Sequence, residues 1–523
     1  MRRNNKGLAL ATSALQALRA GRRAEAEYLG RKALAKARQD ANVLHAVGEL
    51  TWELGDVSAA SALLADAIRR RGAGAPAPWH LKLAQAWTLL GRVDDAKRTF
   101  QIGLAQDPRA VLGWLGLGRA LHRLGDFCGA IDAWERAIAL DPRAWTAHND
   151  LGSARMEMRD WTGAGEAFAK AESLSCGDPI VLVNRASLDL RSGHPEDAIA
   201  RLEASTARYP EYAPAHAGLG FAWRDVGQSV KAVTPLRRAV ALDPESASYT
   251  CGLGRALLES GDAHEALAVA AGYLKRRPGH SGARALESLT RLALGDNEGV
   301  ALLLDYQRFV SVSTLPAPDG FDDLAAFNAA LALHTSTHRT LNAAPLSHAT
   351  AVGLHSGSLL VQPRGPIAVL EQAVGTAAVS YWRALSSSDH PWGVQRPRAV
   401  FLKMWCVVLD RGGHQTPHIH PEAWLSGVYY PKLPESVRTG PGPAGWLEFG
   451  KPDGLFPSRI VPPTLQIQPV EGTMVVFPSY FYHRTIPLEE PGTRISIAFD
   501  VVPVEPRSWV DPPGGRGVLD AAR

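Results

Sequence analysis

Cysteine is scarce in this sequence. The 523 residues include four cysteines, Cys128, Cys176, Cys251 and Cys406, which lie far apart and form no CxxC pair. Disulfide-built folds and cysteine-based zinc sites need numerous or closely spaced cysteines, and this sequence has neither. We therefore predict four reduced cysteines that serve as small buried residues.

The sequence also lacks an excess of either charge and lacks long apolar runs. Its 56 basic and 52 acidic residues give a formal net charge of +4, which argues against a dedicated nucleic-acid binder. No apolar run approaches the ~18 residues that cross a bilayer. A charged fraction of 21% beside 46% hydrophobic residues excludes a disordered chain. These absences predict a folded protein without nucleic-acid or membrane partners.

The N-terminal segment has only part of the character of a secretory signal. MRRNNK places positive charge before the apolar segment GLALATSALQALRA, which is the charge order of a signal. Thr12, Ser13 and Gln16 interrupt the apolar segment, and the same residues fit the first unit of a repeat. We therefore expect a cytoplasmic protein.

Proline is rare in the first half of the chain and common in the second. Eleven of the 36 prolines lie before residue 281, and 25 lie in the shorter remainder. The first half is rich in alanine and leucine, as helices are, whereas the second is rich in glycine and aromatic residues with alternating valine and isoleucine. The composition predicts two architectures joined in one chain.

A repeat of 34 residues fills the first half. A small residue recurs with this period, an alanine follows it twelve residues later, and a proline closes most units. The small residues are Gly118, Gly152, Ala186, Gly220 and Gly254, and the alanines are Ala130, Ala164, Ala198, Ala232 and Ala266. With degenerate copies upstream, we count eight units that start near residues 7, 41, 77, 111, 145, 179, 213 and 247.

The repeat has the pattern of a helix pair. Small residues suit the close approach of two helices, large residues fill the gap to the next pair, and Asp141-Pro142 ends a second helix. The unit with Trp114, Gly118 and Trp134 is the best copy, and it resembles the tetratricopeptide repeat (TPR). The resemblance implies an all-α TPR solenoid over residues 1–280, whose groove binds a protein or peptide. We expect Trp114 and Trp134 to be core residues.

Residues 281–320 connect the two architectures. Leucines at helical spacing predict a capping helix, and the proline-rich stretch Ser313–Gly320 predicts a linker. The patterns of 321–340 and Ile367–Leu385 predict two further helices, and residues 506–523 are expected to form a flexible tail.

From residue 398 the hydrophobic period changes to two, which is typical of strands. The clearest strands are Ala399–Leu409 and Leu425–Tyr430, and about six to eight short strands at this spacing predict a sandwich or barrel. The other expected strands are Trp446–Phe449, Leu465–Pro469, Thr473–Phe477 and Arg494–Val502.

Histidines with the spacing of metal ligands lie among these strands. His418 and His420 are two residues apart, so both imidazoles face one side of an extended segment, and Glu422 continues the series. His483 is a distant third histidine, followed eleven residues later by Arg494. Two close ligands and one distant ligand suit a mononuclear site for iron(II), with zinc, manganese and nickel as alternatives. The arginine can pair with the carboxylate of a ligand bound at the metal.

Four motifs occur in order in the second half of the chain: HIHPEAWLSGVYY, GWLEFG, EGTMVVFPSYFYH and RISIAF. With these motifs, residues 321–505 resemble a family of 2-oxoglutarate/Fe(II)-dependent oxygenases with a prolyl-hydroxylase-like fold. The resemblance implies a double-stranded β-helix (jelly-roll) domain with flanking helices, and Fe(II), 2-oxoglutarate and O₂ as reactants. It assigns His483 as the distal iron ligand, Arg494 with Ser496 as partners of the cosubstrate carboxylate, and Tyr430 as a cosubstrate contact.

The sequence departs from the family pattern HxD/E…H at position 420, which is histidine. Three ligand sets stay open: His418, His420 and His483; His420 and Glu422 with His483; or His418 and Glu422 with His483. His414 is expected to orient a ligand rather than to bind metal.

The leading hypothesis is a 2-oxoglutarate- and Fe(II)-dependent dioxygenase, with ascorbate as a supporting reductant. It would hydroxylate a protein or peptide that the TPR array recruits. One alternative is a TPR scaffold with a catalytically degenerate β-domain, which position 420 motivates. Another is a cupin-like metalloenzyme that does not use 2-oxoglutarate.

Overall fold

The computed structural model describes residues 2–385, 390–393, 397, 399–452, 461–504 and 518–520. The chain forms two compact units, and the division between Ala154 and Arg155 falls inside a helix. None of the helices in the described part of the chain combines the length and apolar character that crossing a bilayer requires.

The first unit consists of paired helices. Several begin where an aspartate side chain accepts a hydrogen bond from the first helical turn, as Asp126 does from Gly129. The helices are α1 (Arg2–Arg19), α2 (Arg23–Ala37), α3 (Ala41–Glu53), α4 (Val57–Arg71), α5 (Ala77–Leu89), α6 (Val93–Gln106), α7 (Val111–Arg123), α8 (Phe127–Leu140) and α9 (Trp145–Glu157), which crosses the division; a 3₁₀ turn occupies Gly72–Gly74.

The second unit begins with further helices on the same plan and continues into β-structure. Its helices are α10 (Trp161–Ser175), α11 (Pro179–Arg191), α12 (Pro195–Arg208), α13 (Ala213–Asp225), α14 (Ser229–Leu242), α15 (Ala247–Glu259), α16 (Ala263–Arg276), α17 (Ser281–Leu294), α18 (Asn297–Leu303), α19 (Tyr306–Phe309), α20 (Leu324–Ser336), α21 (Ile367–Ala384) and α22 (Glu435–Thr439).

The predicted repeat is confirmed in its phase. Seven of the eight predicted start positions, from 41 to 247, are the first residues of α3, α5, α7, α9, α11, α13 and α15. Gly118 lies against the indole of Trp134, where an added Cβ would be 2.4 Å from the ring nitrogen. Trp134 is buried, whereas Trp114 is half-buried and donates a 2.9 Å hydrogen bond to the Pro108 carbonyl.

The β-structure forms two antiparallel sheets in a jelly-roll domain, as predicted. The large sheet has the strand order β1-β10-β7-β12-β5-β4-β2, with β13 also paired to β5, and the small sheet has the order β3-β6-β11-β8-β9. The strands are β1 (Ser311–Thr314), β2 (Asn342–Ala343), β3 (Thr350–Val352), β4 (Leu354–His355), β5 (Ala399–Leu409), β6 (His414–His418), β7 (Leu425–Lys432), β8 (Leu447–Phe449), β9 (Leu465–Ile467), β10 (Thr473–Pro478), β11 (His483–Thr485), β12 (Arg494–Pro503) and β13 (Val518–Asp520).

The predicted linker is partly built into the β-domain. Ser311–Thr314 pairs with β10 as the outermost strand of the large sheet. Phe309 is fully buried, and Tyr306 packs against Phe481 with ring centroids 4.8 Å apart. One continuous hydrophobic core runs from Leu236 in α14 to the strands of the large sheet. The last repeats and the jelly roll therefore share a core, which a boundary near residue 280 does not describe.

Two smaller expectations need correction. Most of the predicted tail 506–523 lies outside the described residues, but Val518–Asp520 forms a strand paired with β5. Cys406 is buried as predicted, whereas Cys128 and Cys176 are exposed. Cys128 lies in the first turn of α8, and Cys176 ends α10 in a left-handed conformation, so neither belongs to a packed helix face.

Candidate metal and cosubstrate site

Two of the candidate ligands face each other across neighbouring strands. His418 ends β6 and His483 begins β11, and the two residues are directly paired in the small sheet. Their ring centroids are 4.2 Å apart. The chain folds this way because side chains of opposed residues on antiparallel strands project to the same face.

His420 completes a cluster with these two residues. It follows β6 in an irregular segment, where its backbone N–H donates a 3.1 Å hydrogen bond to the Ser479 carbonyl. Its ring centroid lies 5.2 Å from those of both His418 and His483. One ring nitrogen from each histidine lies within 4.8 Å of the other two, and among the described residues this is the group of three that could hold a metal ion.

The hydrogen bonds of the three rings fix which nitrogen is free. Nδ1 of His418 donates to the Thr416 carbonyl at 2.7 Å, and Nδ1 of His483 donates to the Phe481 carbonyl at 2.9 Å. Nδ1 of His420 lies 2.5 Å from Oδ1 of Asp500. Because each Nδ1 is committed to an oxygen acceptor, each Nε2 keeps its lone pair for a metal.

Asp500 supplies a carboxylate next to the cluster rather than within it. Its Oδ1 accepts a hydrogen bond from Ser426 at 2.7 Å as well as from His420. The Ser426 hydroxyl is in turn 2.8 Å from the hydroxyl of Ser479, and both serines are buried. The negative charge that position 420 lacks is thus present one hydrogen bond further from the cluster.

Glu422 and His414 lie away from the three rings. Glu422 is exposed, and its charge acts on Cys251 of α15, whose pKa burial raises to about 12. Nδ1 of His414 bonds to the Gly412 carbonyl at 2.9 Å. An extended strand rises about 3.3 Å per residue, so His414 is too far from His418 along β6 to orient its ring. The expected orienting role of His414 is therefore wrong. The Nδ1 atoms of the three rings are held instead by Thr416, Phe481 and Asp500.

Helices of the solenoid hold both segments that carry the candidate ligands. Arg255 of α15 donates a 3.0 Å hydrogen bond to the hydroxyl of Tyr482, the neighbour of His483. Ser281 of α17 donates a 2.6 Å hydrogen bond to the carbonyl of Ala423, three residues after His420. The site is thus supported from the helical side of the second unit.

Arg494 is a buried cation without a carboxylate partner. It is 1% exposed, and no acidic group of the described residues lies within ion-pair distance of it. Its Nε donates to the Gly445 carbonyl at 3.1 Å and its Nη1 to the Ser496 hydroxyl at 3.2 Å. Burial lowers the pKa of Arg494, which reflects an environment that disfavours an unpaired charge. An anion bound here would relieve that penalty.

Tyr430 lies beside this guanidinium. The Cζ atom of Arg494 is 5.1 Å from the centroid of the tyrosine ring, and burial raises the pKa of Tyr430 to about 12. Its buried hydroxyl has no hydrogen-bond partner of normal geometry among the described residues. A buried hydroxyl is rarely left unsatisfied, so this group also points to a polar ligand.

A row of half-buried side chains separates the histidines from Arg494. Val428, Ala498 and Trp405 are directly opposed on β7, β12 and β5, within strands whose neighbouring residues are mostly buried. Ala498 shares its face of β12 with Arg494 and Asp500 because alternate residues project to one side. Along β12 the inner face of the large sheet therefore carries Arg494, then Ser496 and Ala498, then the carboxylate of Asp500 that holds His420.

The residue patterns did not reveal Asp500, Ser426, His348 and His355. Asp500 carries a signal in retrospect, since it is the acidic residue of RISIAFDVV at an even spacing from Arg494. His348 and His355 carry no such signal, because they lie in irregular sequence.

The ring centroids of His348 and His355 are 3.9 Å apart, and His355 stacks on Trp405, whose ring is 5.5 Å from that of His420. Trp405 thus lies between this pair and the histidine cluster.

Buried neutral histidines predict a loss of stability in acid. Burial, and secondarily the proximity of His348, lowers the pKa of His355 from 6.5 to about 3. The unfolded chain therefore binds a proton below pH 6.5 that the folded chain does not, and stability falls as the pH falls towards 3. Between pH 7 and pH 5 this costs about 2 kcal/mol for one such histidine. We expect His355→Phe to lose about 2 kcal/mol less than the unsubstituted protein over this range.

Urea unfolding of the metal-free chain at pH 7 and pH 5 measures this difference. His264→Phe, at an exposed position of α16, is the control and should lose as much stability as the unsubstituted protein. Equal losses in all three proteins would contradict a neutral buried His355.

Comparison with known families finds both architectures in this chain. The sequence profile of the family described as "Putative 2OG-Fe(II) oxygenase" matches residues 403–500. A profile described as "TPR repeat" matches residues 118–158, and one described as "Tetratricopeptide repeat" matches residues 90–134, 183–247 and 224–281. A comparison with curated protein sequences gave no match.

Solved structures similar to parts of the chain include tetratricopeptide repeat proteins. A tetratricopeptide repeat protein from Parabacteroides merdae shares 14% identity, with a TM-score of 0.43, over 48% of this chain and 99% of its own. The Cut9-Hcn1 structure shares 18% identity, with a TM-score of 0.39, over 51% of this chain and 52% of its own. YrrB, described as a TPR protein with an unusual peptide-binding site, shares 16% identity, with a TM-score of 0.27, over 35% of this chain and 95% of its own.

Proposed function

We propose that this protein is a 2-oxoglutarate- and Fe(II)-dependent dioxygenase. The chain carries tetratricopeptide repeats and a C-terminal domain of the 2OG-Fe(II) oxygenase type. Its substrate is a protein or peptide that the repeats recruit. The observation that carries the proposal is the convergence of three imidazoles whose Nδ1 atoms are all bonded to oxygen acceptors.

We propose His418, His420 and His483 as the metal ligands. Three neutral Nε2 atoms on one side suit a first-row divalent metal and leave other coordination positions for a cosubstrate and O₂. The alternatives that use Glu422 are disfavoured because its side chain is exposed and acts on Cys251 of α15. Bound iron with 2-oxoglutarate and O₂ would supply oxidative decarboxylation to succinate and hydroxylation of the substrate.

The protein's own contribution at the metal is orientation and charge. Asp500 holds the His420 ring with its proton on Nδ1 and places a negative charge within one hydrogen bond of the ligand. Ser426 donates to the same carboxylate oxygen and keeps it turned towards His420. Burial lowers the pKa of His418 to about 3 and that of His483 well below 6.5, so both rings are neutral and ready to bind at physiological pH.

Arg494, Ser496 and Tyr430 are proposed to bind the carboxylate of 2-oxoglutarate that lies away from the metal. The guanidinium uses two of its five N–H donors on Gly445 and Ser496. Its remaining donors, the proton of the Ser496 hydroxyl and the hydroxyl of the neighbouring Tyr430 suit the oxygens of a carboxylate. Ala498 lies between Arg494 and Asp500 on the same face of β12, so a carboxylate bound at the arginine belongs to a molecule that extends along this face towards His420.

Titration of the full chain tests the proposal. We expect Fe(II), added without oxygen, to bind one equivalent, and 2-oxoglutarate to bind only after it with a visible charge-transfer band. With O₂ and ascorbate, succinate should then form slowly without any substrate. A chain that binds neither iron nor 2-oxoglutarate would be the scaffold with a degenerate β-domain. One that binds iron without 2-oxoglutarate would be a cupin-like metalloprotein. Both results overturn the proposal.

A further inference from the structure

A second pair of histidines lies inside the jelly roll, outside the proposed metal ligands. His355 on β4 is opposed to Val407 on β5, which is opposed to Ser496 on β12. Opposed residues project to the same face of a sheet, so the imidazole of His355 lies on the inner face with Ser496 and Arg494. His348 contacts it with ring centroids 3.9 Å apart.

The pair borders the proposed metal site through one side chain. The ring of Trp405 lies 6.1 Å from that of His355 at an angle of 18°, and 5.5 Å from that of His420. Trp405 also belongs to the half-buried row that lines the inner face. A molecule held against His348 and His355 would thus lie beside Trp405, which also neighbours His420.

The hydrogen bond of His355 determines which of its ring nitrogens is free. Nδ1 of His355 donates to the Ser356 carbonyl at 2.7 Å. A neutral imidazole carries one proton, so Nε2 of His355 is left with a lone pair and can only accept. Burial lowers the pKa of His355 to about 3, which keeps the ring neutral.

A short relay fixes His348 in the same state. The Ser347 hydroxyl donates its hydrogen to Glu157 at 2.9 Å, and it lies 3.2 Å from Nδ1 of His348. Since the hydroxyl has one hydrogen, it can only accept from Nδ1, and the Nε2 atom of His348 is also an acceptor. Within the described part of the chain, neither Nε2 atom has a hydrogen-bond partner.

We propose that His348 and His355 form a substrate-recognition subsite that accepts hydrogen bonds from an N–H donor group of the substrate, such as a side-chain amide, amine or guanidine. The proposal rests on the proposed function, since it concerns the substrate of that site. The two rings are in contact and each offers an acceptor on Nε2, so the pair suits a group with N–H donors and repels a carboxylate. The subsite therefore selects amides over the acids of the same shape.

The solenoid positions this subsite. Glu157 is the last residue of α9, and its side chain accepts from both the backbone N–H and the hydroxyl of Ser347. Two residues later, Arg159 donates a 3.2 Å hydrogen bond to the Ala344 carbonyl. A turn between two repeat helices thus holds the segment that carries His348, and Glu157 acts on the substrate through that histidine as a positioning residue.

Matched peptides test the chemical preference. The probes are labelled nine-residue peptides of glycine and alanine whose central residue is asparagine, aspartate, glutamine or glutamate, and whose ends are blocked. Their binding to the full chain with Fe(II) and 2-oxoglutarate, without oxygen, is followed by fluorescence anisotropy. Each amide peptide should bind about tenfold more tightly than its acid, since the acid loses a hydrogen bond and leaves the acceptors unpaired. Equal affinities, preference for the acids or no binding of the amides would overturn the proposal.

Two ring-preserving substitutions assign the preference to the histidines. His348→Phe and His355→Phe should each remove most of the preference for amides. His264→Phe, at an exposed position of α16, should leave that preference intact. If His355→Phe does not fold, the half-buried His348 decides the question alone. A preference that survives His348→Phe would overturn the assignment.

A double substitution tests the relay. Glu157→Ala should lower the preference in the unsubstituted protein and change nothing in the His348→Phe background, because its effect passes through His348. Equal effects in both backgrounds would show that Glu157 acts by another route. Binding of Fe(II) and 2-oxoglutarate is measured on the same samples, so a chain that binds both and shows no amide preference refutes the subsite alone.

Discussion

Replacing Arg494 with leucine is expected to lower the affinity for 2-oxoglutarate by at least about 100-fold. The guanidinium is buried, lies beside Tyr430 and has no acidic partner in the described part of the structure. A carboxylate bound there would gain a charge-assisted pair in a dry environment, and leucine can offer neither charge nor donors. The affinity for Fe(II) should not change, because none of the three histidines hydrogen-bonds to Arg494.

The geometry of the guanidinium makes lysine an informative second variant. Arg494→Lys keeps the charge but cannot donate at once to Gly445, Ser496 and a carboxylate with the fixed fork of arginine. We expect an affinity between those of the unsubstituted protein and Arg494→Leu. Calorimetric titration of the iron-loaded, oxygen-free protein measures all three values.

Arg438→Ala is the matched control for Arg494→Leu. Arg438 is exposed on α22 and pairs with Glu435, so its removal changes the net charge equally without touching the site. An Arg494→Leu protein that folds, binds iron and keeps its affinity for 2-oxoglutarate would show that the cosubstrate carboxylate binds elsewhere.

The sequence predicted the repeat helices well because their determinants are local. Small residues such as Gly118 recur with a fixed period, and the packing partner Trp134 lies in the same unit. The start of the first helix in each unit therefore follows directly from the repeat phase, and these helices begin at the predicted positions from 41 to 247. The strands with strict alternation were equally accessible, and β5 has the predicted bounds Ala399–Leu409.

The boundary between the two architectures was not accessible, because it depends on contacts that join distant segments. Leu236 of α14 and Phe499 of β12 belong to one core, yet nothing in their local sequence indicates that they meet. Ser311–Thr314 overlaps the start of the proline-rich stretch Ser313–Gly320, whose composition suggests a linker, and tertiary pairing with β10 overrides that tendency. Composition describes local preference, whereas the shared core depends on which faces the fold brings together.

The candidate site, too, could be predicted only in part from the sequence. The spacing of His418 and His420 predicted two rings on one side of the chain. His483, followed eleven residues later by Arg494, suggested a third ligand and a partner for a carboxylate. The sequence could not distinguish the three ligand sets, because the direction of the Glu422 side chain depends on how the backbone turns after Pro421. Asp500 was out of reach for the same reason, since it lies 80 residues from the ring that it holds.

Asp500→Asn is expected to lower the affinity for Fe(II) by about 10- to 100-fold. Asparagine has nearly the shape of aspartate and can still accept from Nδ1 of His420, so the packing around Ser426 is retained. It removes the negative charge that strengthens the imidazole as a ligand. Its amide group can also turn and donate to Nδ1, which would move the ring proton to Nε2 and block coordination. Both effects weaken the same metal–ligand bond.

This prediction separates charge from packing through a matched control. Glu371→Gln neutralises another carboxylate, on α21, whose side chain is 12% exposed compared with 11% for Asp500 and which pairs with Arg364 instead of a histidine. Both variants should lose some stability in urea, but only Asp500→Asn should bind Fe(II) more weakly in a competition titration with a coloured chelator. An affinity that is unchanged in Asp500→Asn would mean that an all-histidine site needs no neighbouring carboxylate. If Fe(II) affinity does depend on Asp500, a carboxylate that hydrogen-bonds to a ligand replaces the carboxylate ligand of the HxD/E pattern. Asp500 would then balance the charge of the metal without occupying a coordination position.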